Sequence, residues 1–166
     1  MKIQDRFLLG ALAGVIGNIP KTIWGKTMMH YGISEINGVE RAAGMLVPAH
    51  LSFTLKGQVI GSLADFVIAG TLGVATTYAL ALTGKDKATL KGALTGQAAW
   101  TGLYGVLGTM GASTVKPVSL NTILVELVGH TLYGATTATV VALLGDPKLF
   151  NGQKPLFASP FRSQAQ

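Results

Sequence analysis

The sequence predicts an all-α integral membrane protein: a four-helix transmembrane bundle with a short interfacial amphipathic helix. Three observations carry this. Charged residues make up 12% of the 166 positions, about half the share usual in a soluble domain. Those charges are crowded into short segments between long apolar runs. Many of the 22 glycines fall inside the runs, where a soluble helix is destabilised by about 1 kcal/mol per Gly relative to Ala. Membrane helices tolerate glycine because it lets two backbones approach closely. The length suits one domain, read here as a transmembrane domain over 1–146 followed by a cytoplasmic tail, 147–166.

The first apolar stretch runs from about Phe7 to Met29. Lys2 and Arg6 precede it, and Ala11-Leu12-Ala13 imitates a signal-peptide cleavage site. Cutting there leaves too short an apolar region, so the stretch is expected to stay as a span. Pro20 inside it is expected to kink the helix and free a carbonyl.

From Tyr31 to about Gln58 the chain is more polar. Val39, Ala42, Ala43, Leu46 and Ala49 recur at helical spacing, which suggests a short helix lying in the interface, with Pro48 closing it or opening the next element. The second span is expected from about Val59 to Leu82, longer than the ~20 residues a bilayer core requires. The third runs from about Leu90 to Met110 and is followed by a loop at Lys116-Pro117. The fourth runs from about Leu120 to Leu144, and Gly145-Asp146-Pro147 stops it. Asn37-Gly38 and Asn151-Gly152 read as turns. The tail is polar and basic, and its Phe150, Phe157 and Phe161 are expected to rest on headgroups or on a neighbouring subunit.

Orientation follows from Lys and Arg placement. Lys2, Arg6, Lys85, Lys87, Lys91, Lys148, Lys154 and Arg162 fall on one side of a four-span chain; only Arg41, Lys56 and Lys116 fall on the other. That bias puts both termini in the cytoplasm of a multi-pass cell-membrane protein. The net charge of +6 is accounted for by these orientation signals, with anionic lipid as the partner rather than nucleic acid.

Two constellations stand out. Gly10 with Gly14, Ala13 with Gly17, and Gly92 with Gly96 are small-xxx-small pairs that permit close helix crossing, inside one subunit or between subunits. The other is polar. Asn18, Lys21 and Lys26 in the first span, Asp65 in the second, and Glu126 and His130 in the fourth fall at similar depth. Charges at that depth are expensive and face the bundle interior or water. Lys21 is expected to meet Asp65 or Glu126, with His130 completing a network. This cluster of Asn18, Lys21, Asp65, Glu126 and His130 reads either as a structural salt-bridge network or as a proton, ion or small-ligand site. Lysines near span ends also snorkel to the interface. On the third span Gln97, Thr101 and Tyr104 form a similar stripe.

Enzymatic chemistry has little support. There is no cysteine, nor a nucleophile elbow, Walker loop or zincin helix. His30, His50 and His130 are scattered, and only His130 lies well inside a span, so no metal, haem or other cofactor is expected.

The run Leu90-Lys91-Gly92-Ala93-Leu94-Thr95-Gly96, with Trp100 and Tyr104, leads to Val118-Ser119-Leu120-Asn121-Thr122 and then to Gly129, His130, Tyr133 and Gly134. With the glycine-rich start from Leu8 to Gly17, it resembles a loose group of small four-span membrane proteins of Clostridia and other Firmicutes, largely of unknown function. The resemblance covers most of the chain to about Leu144 and implies the topology but no activity. Lys21 and Lys26 in the first span, and a longer tail, depart from the group.

The leading functional expectation is structural: a self-associating homo-oligomer or membrane lattice built through glycine-rich faces. The alternatives are a small transporter or channel component using the polar cluster, and a membrane anchor for a soluble or redox protein docking on the basic cytoplasmic loops.

Overall fold

The computed structural model describes residues 2–115 and 119–150. Among these all regular elements are helical, and one isolated bridge joins Ile3 to Gly145. The elements are α1 (Arg6–His30), α2 (Gly38–Ala43), α3 (Leu55–Thr83), α4 (Ala88–Trp100) and α5 (Leu120–Leu144). Single 3₁₀ turns occur at Ala49–Leu51 and Pro147–Leu149, and a π-helical segment, Thr101–Leu107, continues α4. The Lys116-Pro117 loop, the Asn151-Gly152 turn, Lys154, Arg162 and the rings of Phe157 and Phe161 lie outside the described residues.

Helix starts follow local chemistry. Asp5, Thr54 and Ser119 accept from the backbone N–H groups of Leu8, Gly57 and Thr122, satisfying donors that the first turn leaves orphaned. Asn37 and Glu40 form a reciprocal capping box at α2. α1 continues through Pro20 as one helix.

Three helices are long and apolar enough to cross a membrane: α1 with 25 residues, α3 with 29 and α5 with 25. The expected third span is instead divided into the 13 residues of α4 and the 7 of the π segment, and it is not among the three. The distribution of side chains is inverted relative to a water-soluble fold. Asn18, Asp65, Thr77, Thr122, Glu126, His130 and Thr137 are buried, whereas Phe7, Ile19, Ile23, Leu63, Val67, Leu94 and Leu124 are exposed. Exposed apolar side chains this numerous mark a surface suited to lipid or to a protein partner.

The glycine pairs are consumed within the chain. A methyl group on Gly10 or Gly14 would collide with α3 backbone at Val74 or Ala69; one on Gly17 would meet Thr137 of α5. Gly92 and Gly96 press on the carbonyls of Gly134 and His130 in α5. Ala13 is fully buried with Leu9, Leu80, Val141 and Phe150. These contacts set the strongest packings, α4 on α5 and α1 on both α3 and α5.

The two described ends of the chain meet at one end of the bundle. Ile3 N–H donates to Leu144 O at 2.9 Å, Asp146 N–H to Ile3 O at 3.0 Å, and Arg6 Nη2 to Leu149 O at 2.9 Å. Phe150, expected on headgroups or a neighbour, is buried against the α1–α3–α5 core.

The interfacial helix requires correction. α2 has six residues, and Val39, Glu40, Arg41, Ala42 and Ala43 are all buried, so it presents no polar face to water. It packs inward against α3. The physical reason is polar matching: Glu40 accepts from Asn37 N–H and Gln58 Nε2, each at 2.9 Å, which permits its burial. The 31–54 connection is also tied to the connection before α5 and to the first turn of α5. Thr114 N–H donates to Gly44 O at 2.9 Å, Ser113 Oγ to Arg41 O at 2.9 Å, and Glu35 N–H to Thr122 Oγ1 at 3.1 Å. Together they cap the end opposite the chain ends.

Candidate functional site: a capped polar cavity

Asn18 and Lys21 are three residues apart on α1 and so share a helix face. Both reach one carboxylate on α3: Lys21 Nζ lies 2.6 Å from Asp65 Oδ1, and Asn18 Nδ2 donates to Oδ2 at 2.8 Å. The Lys21 and Asp65 side chains are 10% and 8% exposed. Asp65 is thus charge-matched and hydrogen-bonded on both oxygens, the condition under which a buried ion pair is tolerable. Gly129 of α5 makes room for the aliphatic stem of Lys21 and the ring of Trp24. The Trp24 indole N–H then donates to Val125 O at 2.9 Å.

The second half of the cluster lies on α5. Glu126 accepts from the Tyr104 hydroxyl at 2.7 Å, and His130 Nδ1 sits 2.9 Å from Glu126 O. A carbonyl oxygen only accepts, so Nδ1 carries a proton and donates. The imidazole is 3.8 Å from the Glu126 carboxylate and meets the Tyr104 ring edge-on, centroids 5.2 Å apart. Tyr133, one turn beyond Gly129, donates to Ala69 O at 2.6 Å.

All five residues of the expected cluster therefore converge, but as two linked groups. Lys21 pairs with Asp65; Glu126 takes Tyr104 instead. Lys26 is exposed and stands apart. Three participants were not legible as such. Tyr104 read as one of a stripe with Gln97 and Thr101, yet Gln97 is exposed and bonds weakly to Thr131 at 3.4 Å. The π segment is what separates them, because its i→i+5 bonds add a residue per turn. Tyr133 was named only among the residues that carry the resemblance. Arg41 was counted as a charge outside the spans. It is 7% exposed, and its guanidinium lies 4.2 Å from the centre of the Tyr104 ring. Its one sequence signal is the capping box Asn37-x-x-Glu40, which commits the next residue to a helix.

Lys21, Arg41, Asp65, Tyr104, His130 and Tyr133 line a cavity of about 40 Å³, together with apolar and small residues from α2, α3 and the π segment. A water requires roughly 10–15 Å³ by this measure, so the space holds a few waters or one small solute. Among the described residues no group of three or more His, Cys, Asp or Glu side chains is arranged to hold a metal ion.

The fold and cavity define a class: an all-helical protein with three helices fit to span a membrane and a polar interior between them. Comparison with family models, curated proteins and solved structures returns no match. No residue role is therefore transferable, and the site has to be argued from its own chemistry.

Proposed function

We infer that this is a multi-pass membrane protein that takes a small polar solute or ion into the bundle, as a small transporter or channel component. The observation that carries this reading is the cavity: charged and hydrogen-bonding side chains from α1, α2, α3, the π segment and α5 surround one open space inside an apolar exterior. Charges at membrane depth are costly and are characteristically associated with solute or proton routes.

Four crossings are part of the proposal. The described ends, near Ile3 and Leu149, meet at one end of the bundle, which calls for an even count, so α4 and its π continuation serve as the crossing beyond α1, α3 and α5. Non-α backbone at depth is tolerated where it is buried or lines a cavity, and Tyr104 of the π segment lines this one. The Lys and Arg bias places both ends in the cytoplasm of a cell-membrane protein, with lipid covering the Leu, Ile, Val and Phe exterior.

Self-association through glycine faces is the second reading; it draws less support because Gly10, Gly14, Gly17, Gly92 and Gly96 pack against the chain's own helices. The test is flux. Purified protein in liposomes should pass protons or small ions, and Lys21→Ala and Glu126→Ala should abolish the flux while the protein remains folded. Absence of any flux above empty vesicles would remove the transport reading.

A further inference from the structure

Two cations face the cavity: Asp65 pairs directly with Lys21, whereas Arg41 lies within electrostatic reach of Glu126 but makes no salt bridge to it. Asp65 is committed to Lys21 and Asn18. Glu126 accepts from the hydroxyl at the edge of the Tyr104 ring, while Arg41 lies over its face. Glu40 is occupied by Asn37 N–H and Gln58 Nε2. Arg41 itself makes one long hydrogen bond, Nη1 to Val115 O at 3.3 Å. Its Nε and Nη2 are buried and have no partner among the described residues.

Arginine stays protonated under all ordinary conditions. A buried guanidinium with unmatched N–H groups calls for an acceptor, and Arg41 lines the cavity that has room for one. The unmatched pair is informative. Nε–H and one Nη2–H form the side edge of the guanidinium, the fork that receives two oxygens of a planar anion in parallel bonds. A space of about 40 Å³ has room for a solute of a few heavy atoms. Lys21 Nζ, on the same wall, adds positive potential without spending its whole donor capacity on Asp65.

We propose that the Nε–Nη2 edge of Arg41, with Lys21 nearby, binds a small planar monovalent oxyanion, of the bicarbonate, nitrate or formate class, inside the capped cavity. This rests on the solute-binding reading above and names its ligand class.

The test uses the full chain in detergent, in a gluconate buffer of constant sodium concentration. Replacing gluconate by nitrate, bicarbonate or formate should raise the unfolding temperature saturably, as a ligand that binds only the folded state does. Radiolabelled formate should bind at about one per chain, displaced by nitrate but not by gluconate. Arg41→Gln should weaken binding at least tenfold. Arg41→Lys, which keeps the charge and loses the fork, should fall between. Unaltered binding in Arg41→Gln overturns the proposal, as does a folded wild-type chain that binds no formate and responds equally to every sodium salt. If Arg41→Gln fails to fold, the direct binding measurement on the wild-type chain decides. A cation or proton flux lost in Lys21→Ala, with no anion binding, defeats the anion site and spares the transport reading. Anion binding without any flux does the reverse.

Discussion

The guanidinium of Arg41 lies 4.2 Å from the centre of the Tyr104 ring, and the hydroxyl of that ring donates to Glu126 at 2.7 Å. One tyrosine therefore joins the connection between the first two long helices to the last helix. Tyr104→Phe keeps the stacked ring and deletes only the hydroxyl. We expect it to cost about 1–3 kcal/mol, because Glu126 loses its donor in a buried place. Tyr104→Leu should cost about 0.5–2 kcal/mol more by removing the cation–π contact. Reversible unfolding in mixed micelles measures both; equal stabilities for Tyr104→Phe and wild type would mean the hydrogen bond contributes nothing.

Lys21 and Asp65 should behave as a unit. Removing one partner leaves an uncompensated buried charge, so Asp65→Asn is expected to destabilise by about 3–5 kcal/mol. The double variant Lys21→Met with Asp65→Asn should recover a large part of that loss. Strict additivity in the double-mutant cycle would exclude their coupling.

Glycine substitutions should separate packed faces from open ones. Gly96→Leu forces a side chain into the His130 carbonyl, and overpacking of this kind costs about 1–3 kcal/mol or more. The expected result is unfolded chain, with no folded species of altered oligomer size. Gly102, whose added Cβ would meet nothing within 4 Å, should accept Ala without loss.

Acid should loosen the loops. A hydrogen bond from Lys91, with its charge, holds the Asp86 carboxyl below its ordinary 3.8, and the Lys148 backbone N–H does the same for Asp146. A lowered folded-state value means stability present above the unfolded-state value and lost as pH falls through the folded one. The loss therefore belongs below about pH 4, and it should be small and screened by salt because Asp86 is exposed and Asp146 partly so. Amide exchange of the 84–87 turn and the Ile3–Asp146 pairing should rise on acidification. Asp86→Asn should show faster exchange in the turn already at neutral pH and a flatter acid response.

The absence of cysteine makes topology directly measurable. Singly introduced cysteines at Lys85 and Lys148, both exposed, should react from the cytoplasmic side, and one at exposed Lys56 from the other. Labelling of Lys85→Cys and Lys148→Cys from opposite sides would break the even number of crossings.

How much of this was legible from residue order varies by element. α5 begins at Leu120 and ends at Leu144, as expected, because Ser119 caps one end and Gly145-Asp146-Pro147 stops the other; both signals are local. α2 was misplaced because spacing reports which residues share a helix face but not what covers the opposite face. Val39, Ala42 and Ala43 fit an interfacial helix equally well until Glu40 and Arg41 are seen buried. The third span was drawn as uniform α-helix, and no residue between Thr101 and Leu107 announces the widened turn that redirects Tyr104.

The order of residues by itself determined the helical class, the long apolar segments and the positions along them of Asn18, Lys21, Asp65, Glu126 and His130. Those properties depend on hydropathy and on a fixed rise per residue, which are local. Tertiary structure alone decided that Lys21 takes Asp65, that Tyr104 takes Glu126, and that Arg41 enters the cavity with its edge unmatched. Pairing at depth depends on how each helix is rotated about its axis and how closely its neighbours approach. Here that is set by backbone contacts at Gly14, Gly17, Gly96 and Gly134, between positions far apart in the chain.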